Sequence, residues 1–131
     1  MPKIEWDEAF SVNNEEIDNQ HKKWLSIIND LHDSMLKGDI ALSTTINTMK
    51  SMQDYVKHHF DSEEEYMRKI NYPDLEQHKR IHNKFYVMVN EYYNDMRSGK
   101  LVLNGEIMNM LVNWLKDHIL HEDKKYSESA K

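Results

Sequence analysis

Apolar positions recur along this chain in alternating steps of three and four, the spacing that lines up one face of a packed helix. From Ile17 the steps run through His21, Trp24, Ile28, Leu31 and Met35, ending just before Gly38. A second stripe reads Met49, Met52, Val56, His59 and Glu63, with Ile46 and Met67 flanking it. Leu75, His78, His82, Phe85, Val89, Tyr92 and Met96 form a third, and Ile107, Leu111, Trp114 and His118 a fourth. No alternating strand pattern competes with them. The stripes predict helices over roughly 17–37, 40–68, 74–97 and 104–122.

The breaks fall between the stripes. Gly38 in Lys37-Gly38-Asp39 suits the residue just past a helix end. Pro73 in Asn71-Tyr72-Pro73-Asp74 suits a first helical turn. Ser98-Gly99 ends the third stripe, and Asn104 is a natural N-cap for the fourth. Linkers this short make consecutive helices antiparallel neighbours, so the fold class is all-α, an up-down-up-down four-helix bundle. Residues 1–16 carry no helical stripe and form an extended arm whose Trp6, Phe10 and Val12 lie against the bundle.

The chain of 131 residues is the length of one domain, and that domain is expected to span 1–131. Three Gly and two Pro leave few turns, in keeping with long helices. The absence of Cys removes disulfides, iron–sulfur clusters and thiolate metal sites, so any metal must be held by nitrogen and oxygen. A net charge of −6 without a dense basic cluster argues against nucleic-acid binding. No stretch approaches the roughly 20 apolar residues that span a bilayer, so no membrane insertion is expected. The acidic start, Met1-Pro2-Lys3-Ile4-Glu5-Trp6, lacks the apolar core of a signal peptide. Cytoplasmic location and a monomeric state are the expectations.

Eight His is a high count for this length, and their placement changes the picture. Five of them, with Glu63, fall on inward positions of the stripes. A buried polar side chain without a partner costs a few kcal/mol, and a buried charge more. Six such groups in one core are a liability that a bound cation resolves. His59 and Glu63 stand i, i+4 on one helix face, as do His78 and His82, so each pair can reach one metal or two adjacent ones. Imidazole with carboxylate suits iron, manganese, zinc or copper; calcium and magnesium prefer oxygen alone. One His on an apolar face is more often a hydrogen-bonded core residue than a ligand, but coincidence on all four helices is remote. His58 should point outward and His32, beside Leu31, should lie at the surface. His121, three residues after His118, either edges the site or faces away. Trp24, Phe85, Met49 and Met52 are core residues by default.

These features together resemble the hemerythrin family, and within it the single-domain bacteriohemerythrins. The resemblance rests on the arm Trp6-Asp7-Glu8-Ala9-Phe10-Ser11-Val12, on Ile17-Asp18-Asn19-Gln20-His21, on His59-x3-Glu63 and His78-x3-His82, and on His118-x4-Asp123. It covers essentially the whole chain. It implies a non-haem centre of two iron ions joined by an oxo or hydroxo bridge, with His21, His59, Glu63, His78, His82, His118 and Asp123 as ligands. Glu63 and Asp123 would bridge the pair. His78, His82 and His118 would complete one iron with six ligands, and His21 and His59 would serve the other with five. An open position marks a binding or catalytic metal. Spacing alone leaves the second bridge undecided. Asp123 lies about 140° round an ideal helix from His118, whereas Glu122 at i+4 lies nearer. Only a loosened or bulged helix near Leu120-His121-Glu122 brings Asp123 in, and the resemblance favours Asp123.

The resemblance further implies reversible binding of dioxygen, as a carrier or store supplying an intracellular oxygen-consuming enzyme. Trp24, Leu25, Trp114, Leu115 and Ile119 are placed to keep water from the site. The same centre on other chains of this kind admits an oxygen or redox sensor, or a di-iron enzyme acting on peroxide or nitric oxide. A sensor is disfavoured by an end soon after the fourth helix, at Ser127-Glu128-Ser129-Ala130-Lys131, without a signalling segment.

Overall fold

The computed structural model describes residues 4–129; Met1–Lys3 of the arm and Ala130–Lys131 of the tail lie outside them. Four long helices dominate: α1 (Glu15–Leu36), α2 (Leu42–Lys69), α3 (Leu75–Arg97) and α4 (Gly105–Asp117). α1 packs on α2, α2 on α3, and α4 back on α1, giving an antiparallel four-helix bundle with no strand among the described residues. None of the described helices is long and apolar enough to cross a membrane.

Local chemistry sets the helix ends. Asn14 and Asn104 accept from the backbone N–H groups of Ile17 and Ile107, capping α1 and α4. After α3, Gly99 at φ 82° lets Lys100 N–H reach Asp95 C=O at 2.8 Å, a Schellman closure that a side chain at this φ would strain. Asn71 at φ 56° does the same for α2, with Tyr72 N–H on Met67 C=O at 2.9 Å. Pro73 sits in the turn just ahead of α3 rather than inside its first helical turn.

The fourth helix departs most from expectation. It does not stop at residue 122: after Asp117 it widens into a π segment, His118–Asp123, and continues as a short α5 (Lys124–Ser129). A second correction concerns His32, expected at the surface but 4% exposed. α1 buries two adjacent flanks rather than one stripe, and His32 continues the flank of His21, Leu25 and Ile28.

The arm is fastened by polar contacts at both ends. Ile4 and the Asn29 side chain exchange two hydrogen bonds, 3.1 and 2.8 Å. Asp18 accepts from Ser11 Oγ at 2.6 Å and Val12 N–H at 2.9 Å. Phe10 joins the main core, while Val12 packs with Ile17, Met67, Tyr72 and Tyr126 as a separate apolar cluster. Because the helices alternate in direction, the start of α1, the end of α2, the start of α3 and the end of α4 share one end of the bundle. The five inward His of the stripes lie there, whereas the buried His32 sits near the far end of α1.

Candidate metal centre

Each inward stripe delivers its polar residues to the same depth. His21 comes from the second turn of α1, His59 and Glu63 from the second half of α2, and His78 and His82 from near the start of α3. His118 and Asp123 open and close the π segment. One residue per turn beyond the α-helical count turns Asp123 from its ideal position towards the core, so Asp123 is fully buried while Glu122 stays half-buried beside Lys125. All seven expected side chains are at most 3% exposed. His58 and His121 are exposed and take no part.

The seven converge as two groups with shared members. Glu63, His78, His82, His118 and Asp123 form one, and His21, His59, Glu63 and Asp123 the other, with donor atoms inside each group within 4.8 Å of one another. Asp123 spans the two: its Oδ1 lies 3.1 Å from His78 Nε2 and 3.0 Å from His118 Nε2, and its Oδ2 3.2 Å from His21 Nε2. Glu63 Oε1 stands 3.3 Å from His59 Nε2 and 3.2 Å from His82 Nε2, with Oε2 3.6 Å from His21 Nε2.

These distances are ionic, but the alignment is not that of hydrogen bonds. Nε2 of His21, His59 and His78, Oε1 of Glu63 and both Asp123 oxygens have no hydrogen-bond partner. Such orphans in a fully buried site are costly. His82 Nε2 and His118 Nε2 face each other at 3.0 Å. Metal–nitrogen bonds of about 2.1 Å at right angles set neighbouring donors about 3 Å apart, so lone pairs aimed at a common ion fit this spacing. The residues present therefore fit a pair of cations held by nitrogen and oxygen.

Charge is balanced by protons when no metal is bound. Burial pulls the His21 imidazole down, but Asp123 and Glu63 outweigh it and push it up to about 9. Against the same burial, Glu63 and Glu64 push His82 up to about 9. Burial wins at His59, which is lowered. Burial opposes ionisation of Glu63, yet His59, His21 and His82 hold it well below the usual carboxylate range. Asp123 is lowered too, with His118 and His21 overcoming burial and the Glu63 charge. Two cations face two anions, and metal ions would take the place of those protons.

Three residues that the stripe pattern does not single out complete the site. Gln20 Oε1 accepts from His59 Nδ1 at 2.7 Å, and Glu64 Oε2 from His82 Nδ1 at 2.9 Å. Each bond fixes the tautomer that leaves Nε2 free to face inward. Tyr126, fully buried on α5, donates to Glu63 Oε2 at 2.6 Å. Burial and the Glu63 and Asp123 charges push its phenol well above the usual value, so it remains a donor. Gln20 and Glu64 each sit one position from a residue on the inward stripe, and Tyr126 lies one turn beyond Asp123. Aromatic rings close the walls. Phe60 stacks on His82 at 3.8 Å, and Trp114 on His118 at 4.5 Å.

Comparison with known proteins agrees with this geometry. The family described as "Hemerythrin HHE cation binding domain" matches residues 12–129. A bacteriohemerythrin of Stenotrophomonas maltophilia is 29% identical over 100% of this chain and 84% of its own length. A myohemerythrin of Theromyzon tessulatum is 34% identical over 93% of this chain and 89% of its own. A crystal structure of wild-type hemerythrin superposes with a TM-score of 0.92 at 30% identity, covering 98% of both chains. An all-helical bundle whose buried His, Glu and Asp can hold metal thus meets a family match over most of its length, and the chain belongs to the hemerythrin family.

Proposed function

We propose that this chain binds dioxygen reversibly at a non-haem di-iron centre and serves inside the cell as a carrier or store that hands oxygen to a consuming enzyme. The observation that carries the reading is the unequal sharing of donors. Glu63 and Asp123 belong to both groups, which gives five protein donors to one metal position and four to the other. With a shared oxygen bridge these would become six and five, which would leave room for a ligand at the position served by His21 and His59. Bound ferrous iron would supply the electrons and Lewis acidity for reversible oxygen binding. The names of relatives, bacteriohemerythrin and myohemerythrin among them, support the same reading.

The chain's own residues would do the rest. Gln20 and Glu64 hold His59 and His82 in the ligating tautomer, and Tyr126 keeps the Glu63 carboxylate ionised and oriented. Trp24, Leu25, Leu115 and Ile119 are buried in the main core, with Trp114 packed against it. Their apolar surfaces exclude the water and protons that would trap the centre in its oxidised state.

Anaerobic loading with ferrous iron followed by exposure to oxygen tests the reading. A charge-transfer spectrum that appears with oxygen and vanishes under vacuum is the expected result. A persistent diferric spectrum overturns the carrier and points instead to redox catalysis or to a sensor.

A further inference from the structure

The two outer hydrogen bonds differ in chemistry, and the difference falls across the two metal positions. His82, in the three-imidazole group, donates Nδ1–H to a carboxylate, Glu64. His59, in the two-imidazole group, donates Nδ1–H to a neutral amide, Gln20. Among the described residues Glu64 pairs with His82, and no Lys or Arg forms an ion pair with it. Its one direct contact with a nitrogen base is with the imidazole, although Lys57, Lys79, Arg80 and Lys84 line the same groove. The Glu64 side chain is 17% exposed and lines the groove between α2 and α3, whereas Gln20 is buried.

A carboxylate accepting from Nδ1–H draws the proton outward and makes Nε2 a more basic donor; a charge-assisted bond of this kind is roughly twice as strong as a neutral one. A more basic donor favours the more highly charged metal. An amide oxygen orients the ring with much less of this effect. Glu63 and Asp123 are common to both groups and cannot distinguish them. The asymmetry comes from the third imidazole and from Glu64 against Gln20.

We propose that Glu64 and Gln20 act as positioning residues that set the redox order of the two irons. The iron held by His78, His82 and His118 has the lower potential, and the iron held by His21 and His59 the higher. The inference rests on the di-iron reading above. Each couple is a one-electron change between ferric and ferrous iron. The first electron added to the diferric centre goes to the His21/His59 iron and the second to the other. The half-reduced state is then a localised mixed-valent pair, with ferrous iron already at the position that has room for a ligand.

The test is a potentiometric titration of iron-loaded wild type, Glu64→Gln and Gln20→Glu with dithionite and mediators. Electron paramagnetic resonance follows the mixed-valent form. Wild type should show two separated steps. Glu64→Gln should raise the lower step by at least tenfold in its equilibrium constant, 59 mV for one electron, and leave the upper step nearly in place. Gln20→Glu should lower the upper step, and both variants should reduce the mixed-valent fraction at half reduction. Two unmoved steps in both variants, or a shift of the upper step in Glu64→Gln, overturn the proposal. Should Glu64→Gln fail to hold two irons, Gln20→Glu decides alone: a lowered upper step supports the assignment and an unmoved one overturns it. Wild type that never loads two irons overturns the di-iron reading and this proposal with it. A wild type that loads normally beside unshifted variants removes the proposal only.

Discussion

The two ends of the bundle are made from the same four helices and hold together by different physics. At the end away from the metal-ligating stripe residues, Leu31, Met49, Met52, Val89, Met96, Met108 and Leu111 fill most of the interior with hydrocarbon, with buried His32 an exception. Neither group of candidate metal ligands among the described residues draws on that end. At the other end the same stripes carry five imidazoles and two carboxylates, with orphaned polar atoms that protons satisfy only in part. The comparison teaches that one helical periodicity can specify both a self-sufficient core and a receptor. What decides between them is whether the inward side chains satisfy each other.

Each end should therefore fail in its own way. Largest is the effect of His78→Ala, which removes a donor from the fuller metal position. We expect at least one iron per chain to be lost, and elemental analysis still finding two would count against that role. Next is Leu111→Ala at the hydrocarbon end. It should cost roughly 2–5 kcal/mol in denaturant unfolding, with metal stoichiometry unchanged. Loss of iron there would show that the two ends are not separable. Third, metal-free protein should respond to pH through the polar end. His21 and His82 rise from 6.5 to about 9 in the fold, so their contribution to stability is complete below about pH 6.5. It fades as pH climbs through about 9. The melting temperature of apo-protein should fall across that window while iron affinity rises, since metal displaces those protons. A flat or rising melting curve contradicts the assignment. Smallest is Tyr126→Phe, which leaves Glu63 Oε2 without its donor and should cost about 1–3 kcal/mol in stability. An unchanged melting temperature would reduce the bond to a bystander.

How much of this could be read from the chain alone varies from residue to residue. The stripes place Trp24, Val56, Phe85 and Leu111 in the interior, because periodicity records which face is buried. His21, His59, Glu63, His78, His82 and His118 come together for the same reason. Asp123 does not follow from periodicity. The π segment that turns it inward is a local rewinding with no propensity signature, so spacing favours Glu122 and only the family resemblance favours Asp123. His32 misleads because a stripe one residue wide understates how far α1 is embedded. Gln20, Glu64 and Tyr126 gain their roles from the rotation of neighbouring helices, which single-helix periodicity does not encode.

The central claim is that two metal ions share Glu63 and Asp123, with three imidazoles on one and two on the other. Anomalous scattering at the iron edge from a crystal of iron-loaded protein tests it most directly. The account predicts two peaks between these carboxylates, one beside His78, His82 and His118 and the other beside His21 and His59. A single peak, or a pair lying elsewhere on the chain, contradicts it.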